Sequence, residues 1–260
     1  MQYTDVKKVY TQMFDEEKRL CKDKASSIEF MTNKKYILHE LRKGDKILEL
    51  GAATGRYTLA LAELGYEVTA LEYVEENLDV LRSKLQRSHK VIPVLGNALD
   101  LSQYADGSFD VVLNMGPLYH FPNPEDRDKV VKESMRVLKK GGVAFFAFIN
   151  NDMVFVTESL MYSTDFLSEE SPLYDKETHK VVDDPFTFLT VEQIRDLMNA
   201  NGCKEYKFIA SDGYSELMAP QINKLNDEAF KNWFKYHLYS CEKMESLNAS
   251  HHLMYITIKE

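Results

Sequence analysis

A short apolar strand that runs into a glycine turn constrains the fold of this chain more than any other feature. Residues 47–56 read ILELGAATGR, and Gly51 and Gly55 stand four positions apart in that run. Glycine permits a tight turn and lets backbone N–H groups approach a ligand before a helix begins. A second predicted strand, residues 66–71, ends at Glu72, whose carboxylate can accept hydrogen bonds from both hydroxyls of a ribose. The pattern predicts a ligand that carries a nucleoside.

The glycine spacing distinguishes between nucleoside ligands. A dinucleotide-binding turn reads G-x-G-x-x-G, and its second glycine makes room for a pyrophosphate. Here that position is Ala53, and Glu49 precedes the first glycine. This arrangement resembles motif I, E/D-x-G-x-x-x-G, of the class I S-adenosylmethionine-dependent methyltransferases, whose cofactor has no phosphate at its methionine end. The alternative is a turn in which the glycines only join a strand to a helix.

Later segments follow the order of the same family. An amphipathic helix is predicted by the spacing of Val74, Leu78 and Leu81. A third strand, residues 91–95, leads into Gly96-Asn97-Ala98, which resembles the family's adenine-contacting G-D-A segment with Asn97 in the usual place of Asp. The amide oxygen of Asn97 would still offer an acceptor to the adenine amino group.

The second half of this core resembles the family's fourth and fifth strands. Residues 106–115 read DGSFDVVLNM, which matches the family's fourth strand. A following helix is expected to stop at the cations and glycines of residues 139–142. Residues 143–149 are continuously apolar, as in a strand that is covered on both faces.

This alternation of elements predicts an α/β fold. The resemblance implies a Rossmann-like, doubly wound, mostly parallel seven-stranded sheet with an antiparallel C-terminal strand and a helical cap. The predicted methyltransferase core comprises residues 44–150, 188–212 and 251–260. The predicted cap comprises residues 1–43, 151–187 and 213–250, which we expect to close over the cofactor and to supply most of the acceptor pocket.

The resemblance implies one pocket for S-adenosylmethionine and its product S-adenosylhomocysteine. The residues expected to bind the cofactor lie at the ends of the predicted strands, with one in the N-terminal segment. They are Tyr10, Glu49, Gly51, Ala52, Gly55, Glu72, Tyr73, Asn97, Ala98, Leu99, Asn114 and Met115.

Two residues after the fourth strand are candidates for catalysis. A base is useful only where the nucleophile carries a proton, and His120 has a reference pKa near neutrality. A histidine that caps a helix or stacks on adenine is an equal alternative. Tyr119 is expected to line the cofactor or orient the acceptor. His251 and His252 either face the pocket or lie in solvent at the entry of the last strand, and no metal site is predicted because ligand spacings are missing.

Residues 116–121 (GPLYHF) resemble small-molecule methyltransferases of bacterial type, so a small-molecule acceptor is expected. A non-catalytic binding protein with the same fold is the alternative, and a nicotinamide-dependent oxidoreductase is a more distant one. The net charge of −9 argues against nucleic acid partners. No apolar run approaches the length of a membrane span, the first eight residues are too polar for a signal peptide, and the three scattered cysteines predict a cytoplasmic protein. The sequence leaves the oligomeric state open.

Overall fold

The computed structural model describes residues 20–260. Its strands are β1 (Lys46–Leu50), β2 (Glu67–Glu72), β3 (Lys90–Leu95), β4 (Phe109–Asn114), β5 (Leu138–Asn150), β6 (Phe188–Leu189), β7 (Lys207–Ala210) and β8 (His252–Ile258). Its α-helices are α1 (Lys24–Glu40), α2 (Arg56–Ala62), α3 (Glu75–Lys84), α4 (Pro124–Val137), α5 (Asn151–Thr157), α6 (Val191–Ala200), α7 (Ala219–Ile222), α8 (Asp227–Ser240) and α9 (Met244–Asn248).

The strands form one sheet in the order β3-β2-β1-β4-β5-β8-β7, and the two-residue strand β6 pairs with β5 beside that path. Strands β1 to β5 are parallel. Strand β8 lies antiparallel between β5 and β7. The predicted mostly parallel sheet with an antiparallel terminal strand is therefore confirmed, with eight strands in place of seven because β6 is added.

The centre of the sheet is buried on both faces. Every residue from Val143 to Asn150 of β5 is buried, as is most of β1. Helices cover both faces of a parallel sheet, so its central strands are apolar throughout instead of alternating. This burial explains why residues 143–149 carry no polar side chain.

Strand β5 begins earlier than the sequence predicts. Helix α4 ends at Val137, and Leu138 already pairs with Phe109 of β4. The pairing resumes at Val143 after a register shift, so the predicted helix stop at residues 139–142 is wrong: this segment lies inside β5. Gly142 fits there because a Cβ would lie 2.7 Å from the carbonyl oxygen of Asp110.

Helix α1 belongs to a small helical layer outside the sheet. Ala25 and Ile28 pack with Ile222 of α7, and half-buried aromatic residues of α8 cover the same cluster. Lys24 bridges to Asp227 at 2.9 Å. Tyr10, which the sequence places among the cofactor residues, lies outside the described residues. Between residues 20 and 260, none of the helices has the length and apolar character that crossing a membrane requires.

Candidate functional site

A cavity of about 370 Å³ lies at the carboxyl ends of β1, β2 and β4. This is the edge at which open parallel sheets bind ligands. Ten of the residues singled out from the sequence line it. They are Glu49, Gly51, Ala52, Glu72, Tyr73, Asn97, Ala98, Met115, Tyr119 and His120.

In the turn after β1, Gly51 leaves the backbone without a side chain. Gly51 has a φ of +72°, and both Gly51 and Ala52 donate backbone N–H groups to the carbonyl of Leu71. A Cβ on Gly51 would lie 2.8 Å from Cδ of Pro117. Glycine is therefore required both by the left-handed backbone and by the neighbouring proline.

Glu72 holds the two loops that flank the cavity. Its Oε2 accepts the N–H of Ala53 at 2.7 Å, and its Oε1 accepts the N–H of Val74 at 2.8 Å. The first bond also supports Ala53, whose φ of +48° is uncommon for a residue with a side chain. Each carboxylate oxygen has a second lone pair, so Glu72 can hold the loops and still accept hydroxyl groups of a ligand.

Glu49 is the second acid of the cavity and is fully buried. Desolvation raises the pKa of Glu49 to about 8, with a further contribution from the negative charge of Glu72, although the hydrogen bond donated by the Thr58 hydroxyl opposes the shift. Glu49 is therefore protonated at neutral pH when no cationic ligand is bound. A ligand ammonium group would favour its ionised form.

Asn97 lies in the lining and shapes its own loop. Its Oδ1 accepts the N–H of Leu99 at 2.9 Å. An amide oxygen has two lone pairs, so one acceptor position is compatible with the adenine contact that the sequence predicts.

Three predicted cofactor residues do not line the cavity. A Cβ on Gly55 would collide with Leu81, so this glycine permits the close approach of α2 and α3. The side chain of Asn114 is fully buried and donates to the Ser134 hydroxyl at 3.4 Å. Leu99 packs against the main hydrophobic core.

Sequence reasoning missed further lining residues. They come from the N-terminal segment, from the turn after β1 and helix α2, from β2 and the residues up to α3, and from the loops that follow β3 and β4. They are Leu20, Ala53, Thr54, Arg56, Tyr57, Leu71, Val74, Asn77, Gly96, Gly116, Pro117, Phe121 and Pro122. Most are neighbours of the recognised motifs, whereas Leu20 has no sequence signal that would link it to this site.

His120 lies in an aromatic cluster at the edge of the cavity. Its ring centroid is 4.9 Å from that of Tyr119 and 5.2 Å from that of Phe186. Burial lowers the pKa of His120 to about 4, although a backbone hydrogen bond with Pro185 opposes the shift. A histidine with this pKa is neutral at physiological pH and is a weak base, which favours the stacking role over the basic one.

A second cavity, of about 510 Å³, adjoins the first, and Tyr119 lines both. All three segments predicted as the cap contribute to it. Its lining consists of Lys22, Asp23, Ala25, Ser26, Glu29, Tyr119, Ile149, Val154, Glu158, Tyr162, Phe186, Phe188, Asp212, Ser215, Glu216, Ala219, His251 and His252.

A histidine and two carboxylates meet in this second cavity. His252 Nδ1 lies 2.7 Å from Asp212 Oδ2 and 3.6 Å from Glu29 Oε2. Burial disfavours the charge of Asp212, but His252, through its charge and hydrogen bond, outweighs this effect and lowers the pKa of Asp212 to about 2. The Ser250 hydroxyl also donates to Asp212 at 2.6 Å. The sequence showed no partners for His252, and the fold supplies them from distant segments.

The three groups also have the composition of a metal site. One ligand atom from each of Glu29, Asp212 and His252 lies within 4.8 Å of the others. The hydrogen bond and ion pair between Asp212 and His252 explain their proximity without an ion. The prediction that the chain holds no metal stays a prediction.

Comparison with known proteins identifies the core of the sheet. Residues 48–146 match the model of the methyltransferase domain family. Residues 48–146 are therefore a methyltransferase domain, and the comparisons support the class I S-adenosylmethionine-dependent family for it. The ubiquinone biosynthesis O-methyltransferase of Idiomarina loihiensis is 33% identical over 111 residues, which are 42% of this chain and 44% of that protein. The corresponding enzyme of Shewanella halifaxensis is 27% identical over 54% of this chain and 58% of its own length. The chain thus spans about half the length of these curated relatives.

Solved structures share the architecture of the methyltransferase domain. An S-adenosylmethionine-dependent methyltransferase from Methanosarcina mazei aligns with a TM-score of 0.57 and 21% identity over 86% of this chain and 96% of that chain. A protein from Pyrococcus horikoshii aligns with a TM-score of 0.59 and 18% identity over 97% of this chain and 96% of that chain. At these identities the likeness shows the fold.

The first cavity fits S-adenosylmethionine, the cofactor that the family implies. Gly51 lies in the lining where a Cβ would press against Pro117, another lining residue, and Glu72 ends β2 where a ribose is expected. Ala53 occupies the place of the pyrophosphate glycine. The predicted cofactor is confirmed at the level of the family, and the role of each lining residue stays a prediction.

Proposed function

We propose that this protein transfers a methyl group from S-adenosylmethionine to a small-molecule acceptor. The observation that carries the proposal is the pair of adjoining cavities: the first has the lining expected for the cofactor, and the second shares Tyr119 with it. The O-methyltransferase names of the curated relatives support an acceptor of small size.

In this proposal the chain binds and positions its ligands. When bound, S-adenosylmethionine would supply a methyl group on a sulfonium that an acceptor could displace in line. Glu72 and the Gly51 turn would hold the nucleoside and methionine ends, while Tyr119 lines both cavities. Because the sulfonium is a good leaving group, most of the rate enhancement comes from alignment and exclusion of water.

Calorimetry and a transfer assay test this function together. We expect both S-adenosylmethionine and S-adenosylhomocysteine to bind the wild-type protein and to compete for one site. Incubation of metabolite extracts with methyl-labelled cofactor should give a labelled small molecule only in the presence of protein. Cofactor binding without transfer to any extract fraction would favour the non-catalytic alternative, and tight NADH binding without binding of the sulfonium would contradict the assignment.

A further inference from the structure

The second cavity is strongly acidic. Its lining contains five carboxylate side chains, from Asp23, Glu29, Glu158, Asp212 and Glu216. Lys22 is the one lysine of this lining within residues 20–260, and the lining residues described there include no arginine.

Histidine charges do not remove this excess. Even with protons on both His251 and His252, the carboxylates outnumber the cations of the described lining by five to three. A low-dielectric cleft of one charge sign concentrates ligands of the opposite sign.

Two of the acids lie deep in the cavity. Side-chain exposure is 12% for Glu29 and 9% for Asp212. Helix α1 contributes Glu29, whereas Asp212 follows β7. Aromatic rings complete the wall: Tyr119 follows β4, Phe186 precedes β6 and Phe188 lies in β6. Carboxylates beside aromatic faces are the groups that recognise an organic ammonium ion.

We propose that the methyl acceptor is an organic amine, which binds in the second cavity as its ammonium ion between the carboxylates of Glu29 and Asp212 and the aromatic wall. An ammonium nitrogen has no lone pair, so before transfer the ion gives one proton to the carboxylate of Glu29. The neutral amine nitrogen then forms the N–CH3 bond while the C–S bond breaks and its electron pair stays on sulfur, which leaves a methylated ammonium ion and S-adenosylhomocysteine. The inference rests on the proposed function, because it names the acceptor class for the same pair of cavities. A phenolate or carboxylate acceptor would meet charge of its own sign in this cavity, whereas an ammonium ion replaces part of its lost hydration by charge-assisted hydrogen bonds.

Calorimetry with matched ligands tests the proposal. The wild-type protein is saturated with S-adenosylhomocysteine and titrated with ethylamine, ethanol and acetate, and then with benzylamine, benzyl alcohol and benzoate. Within at least one series the amine should bind at least about tenfold more tightly than the alcohol, which corresponds to about 1.4 kcal/mol. Raising the salt concentration should weaken amine binding and leave alcohol binding nearly unchanged.

Two cavity variants and one control assign the preference to the acids. Glu29→Gln should reduce the amine preference about tenfold. If this variant fails to fold, Glu158→Gln, which lies on a different element, should reduce the preference in its place. Glu169→Gln removes an exposed acid outside the lining and should keep the wild-type preference. All three folded proteins should retain the wild-type affinity for S-adenosylhomocysteine.

Several outcomes would overturn the amine site. One is the absence of amine preference in both series, and another is a preference that survives in both cavity variants. Zn²⁺ or Mn²⁺ binding that is lost in Glu29→Gln would assign these acids to a metal and not to an amine. If S-adenosylhomocysteine itself fails to bind, the proposed function fails and this inference with it. If it binds while the amines show no preference, the acceptor class alone is wrong.

Discussion

Glu72 joins the turn after β1 to the loop after β2, because one carboxylate oxygen accepts the N–H of Ala53 and the other accepts the N–H of Val74. We expect Glu72→Ala to weaken binding of S-adenosylhomocysteine by about 1.5 to 3 kcal/mol, through loss of charge-assisted hydrogen bonds to the ribose and a less ordered turn. Calorimetry measures the affinity and circular dichroism checks the fold. Glu72→Gln keeps one acceptor oxygen, so its affinity for S-adenosylhomocysteine should lie between those of the wild type and Glu72→Ala. Wild-type affinity in a folded Glu72→Ala protein would remove Glu72 from the site.

Gly51 and Gly65 form a matched pair for testing the turn. Both have positive φ, at +72° and +87°, so alanine costs about 1 to 2 kcal/mol of unfolding free energy at either position. A Cβ would meet Pro117 at position 51, whereas nothing lies within 4 Å of it at position 65. We expect Gly51→Ala to lose at least about tenfold in affinity for S-adenosylhomocysteine, and Gly65→Ala to keep the wild-type affinity. Equal affinities in the two variants would show that the turn after β1 tolerates a Cβ at position 51.

The sequence predicts the cofactor cavity better than the second cavity, and the reason is local. Gly51, Glu72 and Asn97 each belong to a short run of residues whose spacing already implies a turn at a strand end. Glu29, Asp212 and His252 come from α1, from the segment after β7 and from β8, so only the strand order and the packing of α1 bring them together. No spacing rule relates such positions.

Arg136 connects α4 to the irregular segment between β3 and β4. Its guanidinium donates to the carbonyl groups of Leu101 and Tyr104, each at 2.9 Å, and it pairs with Asp106 and Glu133. These contacts satisfy backbone groups that no strand or helix pairs. The segment that carries Asn97 is thereby fixed against the sheet.

We expect Arg136→Met to lower the free energy of unfolding by about 1 to 3 kcal/mol, since the variant leaves several acceptors without a charged donor. Chemical denaturation measures this change. Arg82→Met is the control, because Arg82 makes one exposed ion pair with Asp79 at 2.8 Å and should contribute less than about 1 kcal/mol. Equal losses would mean that the Arg136 contacts add nothing beyond a surface ion pair.

Element types are predicted better than element ends. The amphipathic stripe of α4 and the apolar run of β5 are visible in the sequence, but their junction is not. Residues 139–142 have the cations and glycines of a helix stop, yet pairing of Leu138 with Phe109 starts the strand before them. Sheet pairing here overrides the local signal, and a single chain segment carries no information about its partner strand.

The stability of the whole molecule should depend on pH through Glu49. Its pKa is raised from about 4.5 unfolded to about 8 in the fold, so the native state binds more protons between these values and stability falls as pH rises through them. The slope from one group is at most about 1.4 kcal/mol per pH unit. Glu49→Gln should remove this fall between pH 6.5 and 8 in denaturation measurements, whereas the exposed Glu63→Gln should not. The same pH slope in all three proteins would contradict the raised pKa.

Buried histidines give the opposite slope at lower pH. Burial lowers the pKa to about 4 for each of His120, His237 and His251. The unfolded state then binds more protons between pH 4 and 6.5, so stability rises with pH over this interval. Denaturation of the wild-type protein should therefore show maximal stability near pH 6.5, and a continued rise toward pH 8 would be inconsistent with these shifts.

The place of β8 also limits the order in which the chain can assemble. Strand β7 reaches the sheet only through β8, which is the last strand of the chain. During synthesis, β1 to β5 can pair as they leave the ribosome, whereas β7 has no edge to join until residues 252–258 have emerged. Asp212 meets His252 only when β8 has joined the sheet, so the acidic cavity is completed later than the strands that carry the cofactor turn.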